Sequence, residues 1–465
     1  MKTALICLLS FCALVSGQDQ DKASTLARIL ARKGTISASE LARVEATPAG
    51  DRLAMLASLL QDKGVLTAAD IAELNGAPPA TVSAAAPSVR AEAPVQSRFP
   101  ITVYGMILWN SFFNTAATNS TDIPLYNAKQ GSDALGNDKN FGMTARQSRF
   151  GLHYQGGEIA GGRVNGQVEF DFLGGKVGLA NGINMDLPRL RLAFGRIDWE
   201  RFSLETGQDW SLFAPLGPTS LAEYATSSMS ASGNPWIRTP QIRGEFHGPI
   251  GGGMKLLAQV AAVDPDMGDY TVGLFSSSRT PGIGERGRTP GVDSRFALTK
   301  DYDDRAFTVG VSSHYAHGKN TVPVDSWGVA IDYSLPFAKW FNVTGETYTG
   351  RALGIFSVTS GEAILPVGGL GQFGVRSSGG WTQAQFNFMT KWQMNLAYGI
   401  DDPRVRDLPA GSRTRNQTYM GNLMFRPIPH VTFAWEYRRL LTDFRNQPAA
   451  NERGDHANMA VGYIF

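Results

Sequence analysis

The sequence predicts an all-β transmembrane barrel of about sixteen antiparallel strands, with a small N-terminal α-helical extension in the periplasm. Three observations carry this reading. From Ile101 onward, apolar side chains recur at every second position. Charged residues make up 18% of the chain, below the globular norm of about 25%. Connections between the alternating segments are by turns tight and long, as in outer-membrane barrels. Past the N-terminus no apolar run reaches the roughly 18 residues that a membrane helix needs. A net charge of +2 offers no nucleic-acid footprint.

The first residues, MKTALICLLSFCALVSGQDQ, combine Lys2, an apolar stretch and small residues at Ser16 and Gly17. They predict a secretory signal peptide over 1–17, cut near Gly17–Gln18. Phe11 before Cys12 argues against a lipoprotein. Both cysteines, Cys7 and Cys12, lie in this segment, so the mature chain would hold neither disulfides nor cysteine-bound metals.

Residues 24–76 hold two units at an offset of 30, LARILARKGTISASELARVEA and LASLLQDKGVLTAADIAELNG. Each predicts a helix, a glycine stop (Gly34, Gly64) and a second helix capped by Ser37 or Thr67. Ser37 with Glu40 fits a capping box, and Thr67 with Asp70 fits it loosely. The module is either a self-packed pair of hairpins or a periplasmic contact surface, with peptidoglycan as one partner. Residues 77–99 are rich in Pro and Ala and predict an extended linker.

The barrel domain is expected over 100–465. WGVAIDYSL sets Trp327, Val329, Ile331, Tyr333 and Leu335 against Gly328, Ala330, Asp332 and Ser334, and HVTFAWEYR alternates likewise. Sixteen such segments start near residues 101, 144, 163, 186, 200, 237, 253, 293, 305, 325, 340, 379, 390, 416, 430 and 456. Most run about 9–12 residues, enough to cross a bilayer as tilted strands. Trp199, Trp236, Trp327, Trp340, Trp381 and Trp392 fall at predicted strand ends and suggest interfacial girdles. The closing stretch HANMAVGYIF keeps an apolar face to Phe465. An unpaired edge in lipid costs several kcal/mol per backbone group, so this strand must close on the one at Ile101.

With the apolar face outward, the other face lines the lumen. Arg149, Arg189, Arg191, Arg201 and Arg243 fall there, together with Glu169, Asp171, Glu205 and Glu245. On a lipid face each Arg would cost about 2–4 kcal/mol at the midplane. Either these charges pair across strands, or an excess of arginines favours anions. The long loop 210–236 follows the fifth strand. Trp210, Phe213, Glu223 and Tyr224 are its candidate constriction residues.

The line SLETGQDWSLFAPLG (203–217), through Gly207-Gln208-Asp209-Trp210 with Phe213 and the lumen arginines, resembles the DcaP-like outer-membrane porins. That resemblance implies a sixteen-stranded barrel, a homotrimer, and uptake of small dicarboxylic and other organic anions. By its position the third long loop resembles the loop that folds inward and narrows the channel in general porins, the alternative being an extracellular cap. Separately, the pattern of Phe465, Tyr463, Val461 and Met459 resembles the C-terminal signature of bacterial outer-membrane proteins, which implies a signal read by the barrel-insertion machinery. The N-terminal region departs from the family's coiled-coil extension. The expected function is passive diffusion of small hydrophilic solutes across the bacterial outer membrane. The rival is a plugged structural or adhesive barrel anchored through its helical module.

No nucleotide, zinc-protease or nucleophile-elbow motif is present, so no catalytic residue and no cofactor is expected. Ser313 and His314 have opposite parity and cannot pair on a regular strand. Asp264, Asp266 and Asp269 could hold a loop Ca²⁺, but a solvated acidic loop explains them as well.

Overall fold

In a computed structural model, the described residues are 19–32, 35–63, 100–129, 139–178, 184–268, 280–302, 305–319, 322–357, 364–366, 372–445 and 451–465. The signal-peptide and linker segments, Thr67 and Asp269 lie outside them.

The chain divides into two units, within 1–88 and 89–465. The first contains α1 (Asp19–Arg32), α2 (Ala38–Ala46) and α3 (Arg52–Asp62). Leu26, Leu30, Ile36, Val44, Leu56 and Leu60 form its core. The capping box at α2 is complete. The Ser37 backbone N–H donates to Glu40 Oε2 at 2.6 Å, and the Glu40 N–H donates to Ser37 Oγ at 3.3 Å. Arg28 and Glu45 tie α1 to α2 at 2.7 Å.

The second unit is a closed antiparallel barrel of sixteen strands. They are β1 (Ile101–Asn114), β2 in two pieces (Asn140–Thr144 and Arg149–Ile159), β3 (Gly162–Asp171), β4 (Arg189–Asp198), β5 (Phe202–Trp210), β6 (Arg238–Gly251), β7 (Met254–Val263), β8 (Gly291–Tyr302), β9 (Arg305–Lys319), β10 (Pro323–Ala338), β11 (Phe341–Arg351), β12 (Arg376–Phe388), β13 (Trp392–Pro403), β14 (Arg413–Ile428), β15 (Val431–Phe444) and β16 (Asn451–Ile464). Each pairs with its chain neighbours, and β16 closes on β1, Tyr463 facing Ile107 and Val461 facing Trp109. Among the described residues no helix is long and apolar enough to cross a membrane.

The seam is built for close approach. Gly105 and Phe465 exchange backbone hydrogen bonds at 3.0 and 3.1 Å. A Cβ on Gly105 would lie 2.7 Å from the Phe465 ring. That ring packs on Phe150 with centroids 5.7 Å apart.

The outward face is apolar over most of its height, with Val103, Ile107, Val260, Phe296, Val309, Ile331, Leu396 and Trp435 all exposed. Burial of such side chains in hydrocarbon is what holds this face in a bilayer. Trp199, Trp340 and Trp392 lie at or beside strand ends, whereas Trp327 lies four residues inside β10, on its outward face. Trp381 does not belong with them. It sits mid-strand on the inward face of β12, 3% exposed, and donates to Glu346 at 3.1 Å. Trp236, near the end of the long inward loop, packs tilted against Trp210 with ring centres 5.9 Å apart.

Two irregularities position the interior. The first splits β2 at residues 145–148. Across the split, the Leu108 N–H donates to Ser148 Oγ at 3.0 Å, and Gln147 turns into the barrel. The second is a register shift in the β3–β4 pairing between Glu169 and Phe170. It flips the parity of β4 beyond Arg191, because one extra residue moves every later side chain to the other face. Leu192, expected outward, is therefore buried opposite Glu169, and Arg196 turns inward.

Candidate functional site

The loop 211–237 folds into the lumen rather than over the rim, and most of its residues are buried. Wall side chains hold its backbone around the circumference. The Ala214 N–H donates to Ser312 Oγ (3.1 Å, β9), Leu216 N–H to Glu346 (2.5 Å, β11) and Thr219 N–H to Gln383 (2.8 Å, β12). Asn422 of β14 donates to Thr219 O at 2.7 Å and Asn110 of β1 to Leu221 O at 2.9 Å. Gln147, freed by the split in β2, accepts from the Tyr224 and Ala225 N–H groups at 2.8 and 3.1 Å. At the loop's start, Ser211 donates to Asp293, which also bonds His314 Nδ1 at 2.7 Å. A loop with this many orphan backbone groups can be buried only if the wall supplies partners, and it does.

Glu223 is enclosed with Arg438 of β15. Arg438 is 1% exposed, is paired with both Glu223 and Glu436, and donates to Ser220 Oγ at 2.9 Å. Phe213 packs against Phe356 (4.9 Å) and His314. Tyr224 lies beneath the Arg149 guanidinium, 4.0 Å from its ring centre.

Where the loop meets β2–β4, the arginines gather. Arg191 bonds Glu169 at 2.6 Å and Asp171 at 2.8 Å, and Arg189 bonds Asp171 at 2.6 Å. Arg149 is 3.5 Å from Glu169. The same guanidiniums donate to loop carbonyls: Arg149 to Tyr224 O, Arg189 and Arg191 to Ala225 O, all at 2.7–2.8 Å. Three guanidiniums thus face two carboxylates. A second cluster has the opposite balance. Arg196 and Arg243 bond Asp198, Glu205, Asp209 and Glu245 at 2.5–3.3 Å.

The predicted lumen set Arg149, Arg189, Arg191, Arg243, Glu169, Asp171, Glu205 and Glu245 therefore collects in these two clusters. Arg201 does not join them. β5 begins only at Phe202, so Arg201 stays in the β4–β5 turn with its side chain 62% exposed. The sequence reading missed Arg196, Gln147, Arg238 and Arg438. Parity hid Arg196, because the shift in β4 reverses it. Gln147 sits in a break that no alternation announces.

The GQDW motif acquires physical reasons. Gly207 has φ +132°, and a Cβ there would fall 2.2 Å from Ala193 O. Gln208 donates to the carbonyls of Leu190 (3.3 Å) and Arg191 (2.9 Å), left open by the shift in β4. Asp209 accepts from Arg243, and the Trp210 ring lies 6.0 Å from Arg191 and 4.9 Å from Arg238.

The strands β11–β16 carry mostly amides. Asn342, Gln385, Asn395, Asn422, Glu436 and Asn458 form one inward row across β11–β16, each facing the next in register. Asn395 donates to Asn422 at 2.7 Å and Asn422 to Glu436 at 3.1 Å. Among the described residues, no group of three His, Cys, Asp or Glu could hold a metal. Asp266 accepts from the Gly268 N–H at 2.8 Å, an ordinary loop turn.

No protein-family model and no curated protein matches the sequence. Solved structures do. The outer membrane channel DcaP of Acinetobacter baumannii aligns with a TM-score of 0.60 at 17% identity, over 80% of this chain and 100% of that one. An anion-selective porin from Comamonas acidovorans aligns at 0.49 and 12% identity, over 78% and 99%. Salmonella typhi OmpF in complex with daunomycin aligns at 0.48 and 13%, over 78% and 97%. At such identities the likeness is one of fold. With its closed sixteen-stranded cylinder and outward apolar face, the chain is a bacterial outer-membrane β-barrel sharing the fold of the DcaP channel.

Proposed function

We propose that this barrel is a porin, through which small hydrophilic solutes diffuse passively, with a preference for organic anions such as dicarboxylates. The observation that carries the reading is the inward loop, which narrows the lumen and brings Arg149, Arg189 and Arg191 to the edge of the constriction against only two carboxylates. Guanidinium groups at a narrow, partly dehydrated point favour anions and grip carboxylates bidentately. The acidic cluster around Arg196 and Arg243 makes the preference mild. Assembly as a homotrimer, insertion through the C-terminal Phe465, Tyr463 and Val461, and peptidoglycan contact by the helical unit belong to the same proposal.

The second reading, a plugged structural barrel, is favoured by the number of wall side chains that grip the loop. Single-channel recording in planar bilayers under a KCl gradient separates the two. The porin reading expects discrete open channels with an anion-selective reversal potential, weakened by Arg189→Ser with Arg191→Ser. Cation selectivity would end the anion preference, and a folded barrel without conductance would favour the plug.

A further inference from the structure

Arg238, at the start of β6, differs from the lumen arginines that are ion-paired. Each of Arg149, Arg189, Arg191, Arg196, Arg243, Arg295 and Arg438 has a carboxylate within 4 Å. Arg238 has none among the described residues. Its guanidinium lies over two indoles, 4.9 Å from the Trp210 ring and 5.1 Å from the Trp236 ring. Its Nη1 is buried without a hydrogen-bond partner, and so is the Trp236 Nε1 beside it. Two neighbouring buried donors with no acceptor are costly, since each forfeits the bonds it had with water.

The same indoles line a cavity of about 310 Å³ inside the barrel, together with Phe213, Ala214, Leu216 and Ile237. That volume lies at the lower end of the range for small-ligand pockets, about 300–1,000 Å³. Most of its walls are apolar, no charged residue is among the described residues that line it, and Arg238 reaches it through the Trp210 and Trp236 indoles against which it packs.

We propose that this is a binding subsite for an amphiphilic monoanion: an organic acid with one carboxylate and an apolar, preferably planar, body. The carboxylate accepts from Arg238 and from the Trp236 N–H. The body stacks on the indoles and fills the cavity. A short dicarboxylate fits less well, because its second charge would enter the apolar cavity without a partner. The subsite thus gives the porin reading, on which its place in transport rests, a selectivity that the arginine cluster does not provide.

The test uses the folded full-length barrel in detergent, so binding is read independently of conduction. Tryptophan fluorescence and calorimetry follow titration with 3-phenylpropionate, succinate and 3-phenylpropanol. The expected order places 3-phenylpropionate first by about tenfold over both others. Arg238→Gln should abolish that advantage, while Arg238→Lys, which keeps the charge but not the flat fork, should retain part of it. If the glutamine variant does not fold, the lysine variant and Ala214→Leu, which shrinks the cavity, carry the test. Equal binding of succinate, equal binding of the neutral alcohol, or an unchanged Arg238 variant would each overturn the proposal. Bilayer recordings then separate the two ideas. Ordinary conductance without selective block by 3-phenylpropionate removes the subsite and spares the porin, whereas tight binding without conductance does the reverse.

Discussion

Removing Arg438 should loosen the constriction. This side chain is 1% exposed and answers two carboxylates, Glu223 on the loop and Glu436 on β15. In Arg438→Leu both carboxylates stay buried without a cation. Breaking a buried pair from one side typically costs about 3–5 kcal/mol, most of it the stranded charge rather than the lost bond. The cheapest relief is to carry Glu223 out to water, which releases the segment around Ser220–Ala225. At about 1.4 kcal/mol per decade, the released population should rise by roughly a hundredfold to a few thousandfold. Its remaining bonds, from Asn110, Gln147 and Asn422, each hold about 0.5–1.5 kcal/mol net and oppose the full effect. Single-channel recording reads the outcome as a larger mean conductance and stronger open-state noise. Adding Glu223→Leu should restore much of the wild-type trace, since an apolar side chain no longer needs to leave. If Arg438→Leu folds, shown by heat-modifiable gel migration, and conducts as wild type does, the ion pair is no clasp and the reasoning fails.

Two further outcomes follow from the seam and the helical unit. Gly105→Leu should collide with the Phe465 ring and the Arg149 carbonyl, lowering the yield of heat-modifiable folded barrel more than Gly157→Leu, whose site is open; equal yields would refute the close-packed seam. The Glu40 carboxyl is held below its ordinary value, first by the Ser37 backbone N–H and then by Lys63. A depressed carboxylate stabilises α2 above its unfolded value of about 4.3 and ceases to do so as pH falls through the folded value. Protection of the α2 amides, taken relative to their intrinsic exchange rate at each pH, should therefore fall on acidification into that range, and Glu40→Gln should remove this pH dependence of protection.

The barrel was legible because lipid imposes a strict rule. Alternation over β10 or β15 leaves no other place for Trp327, Val329 and Ile331, or for Trp435 and Tyr437. The capping box at α2 was legible for a similar reason, since its residues act within four positions of one another. The interior was harder. Arg189 and Arg191 follow simple parity, but Arg196 lies beyond a register shift that only the β3–β4 pairing reveals. Arg201 failed by one residue at a strand boundary. Trp381 looked like a girdle residue until β12 extended past it on both sides and turned it to Glu346. Arg438 meets Glu223 across 215 positions of chain, and no local pattern encodes such a pair. Arg238 reads as an early residue of the strand that starts near 237. Only folding gives it two indoles and denies it a carboxylate.

The row of amides on β11–β16 has a consequence for what passes. The row offers mainly amide hydrogen bonds, and the charge of its one carboxylate, Glu436, is answered by Arg438. On the proposed porin function, a rod-shaped solute charged at one end should be held by its head to Arg149, Arg189 and Arg191, with its tail free to meet the amides. Such a solute is sieved by its length rather than by its girth. Two isomers of equal mass, one compact and one extended, should then cross at different rates.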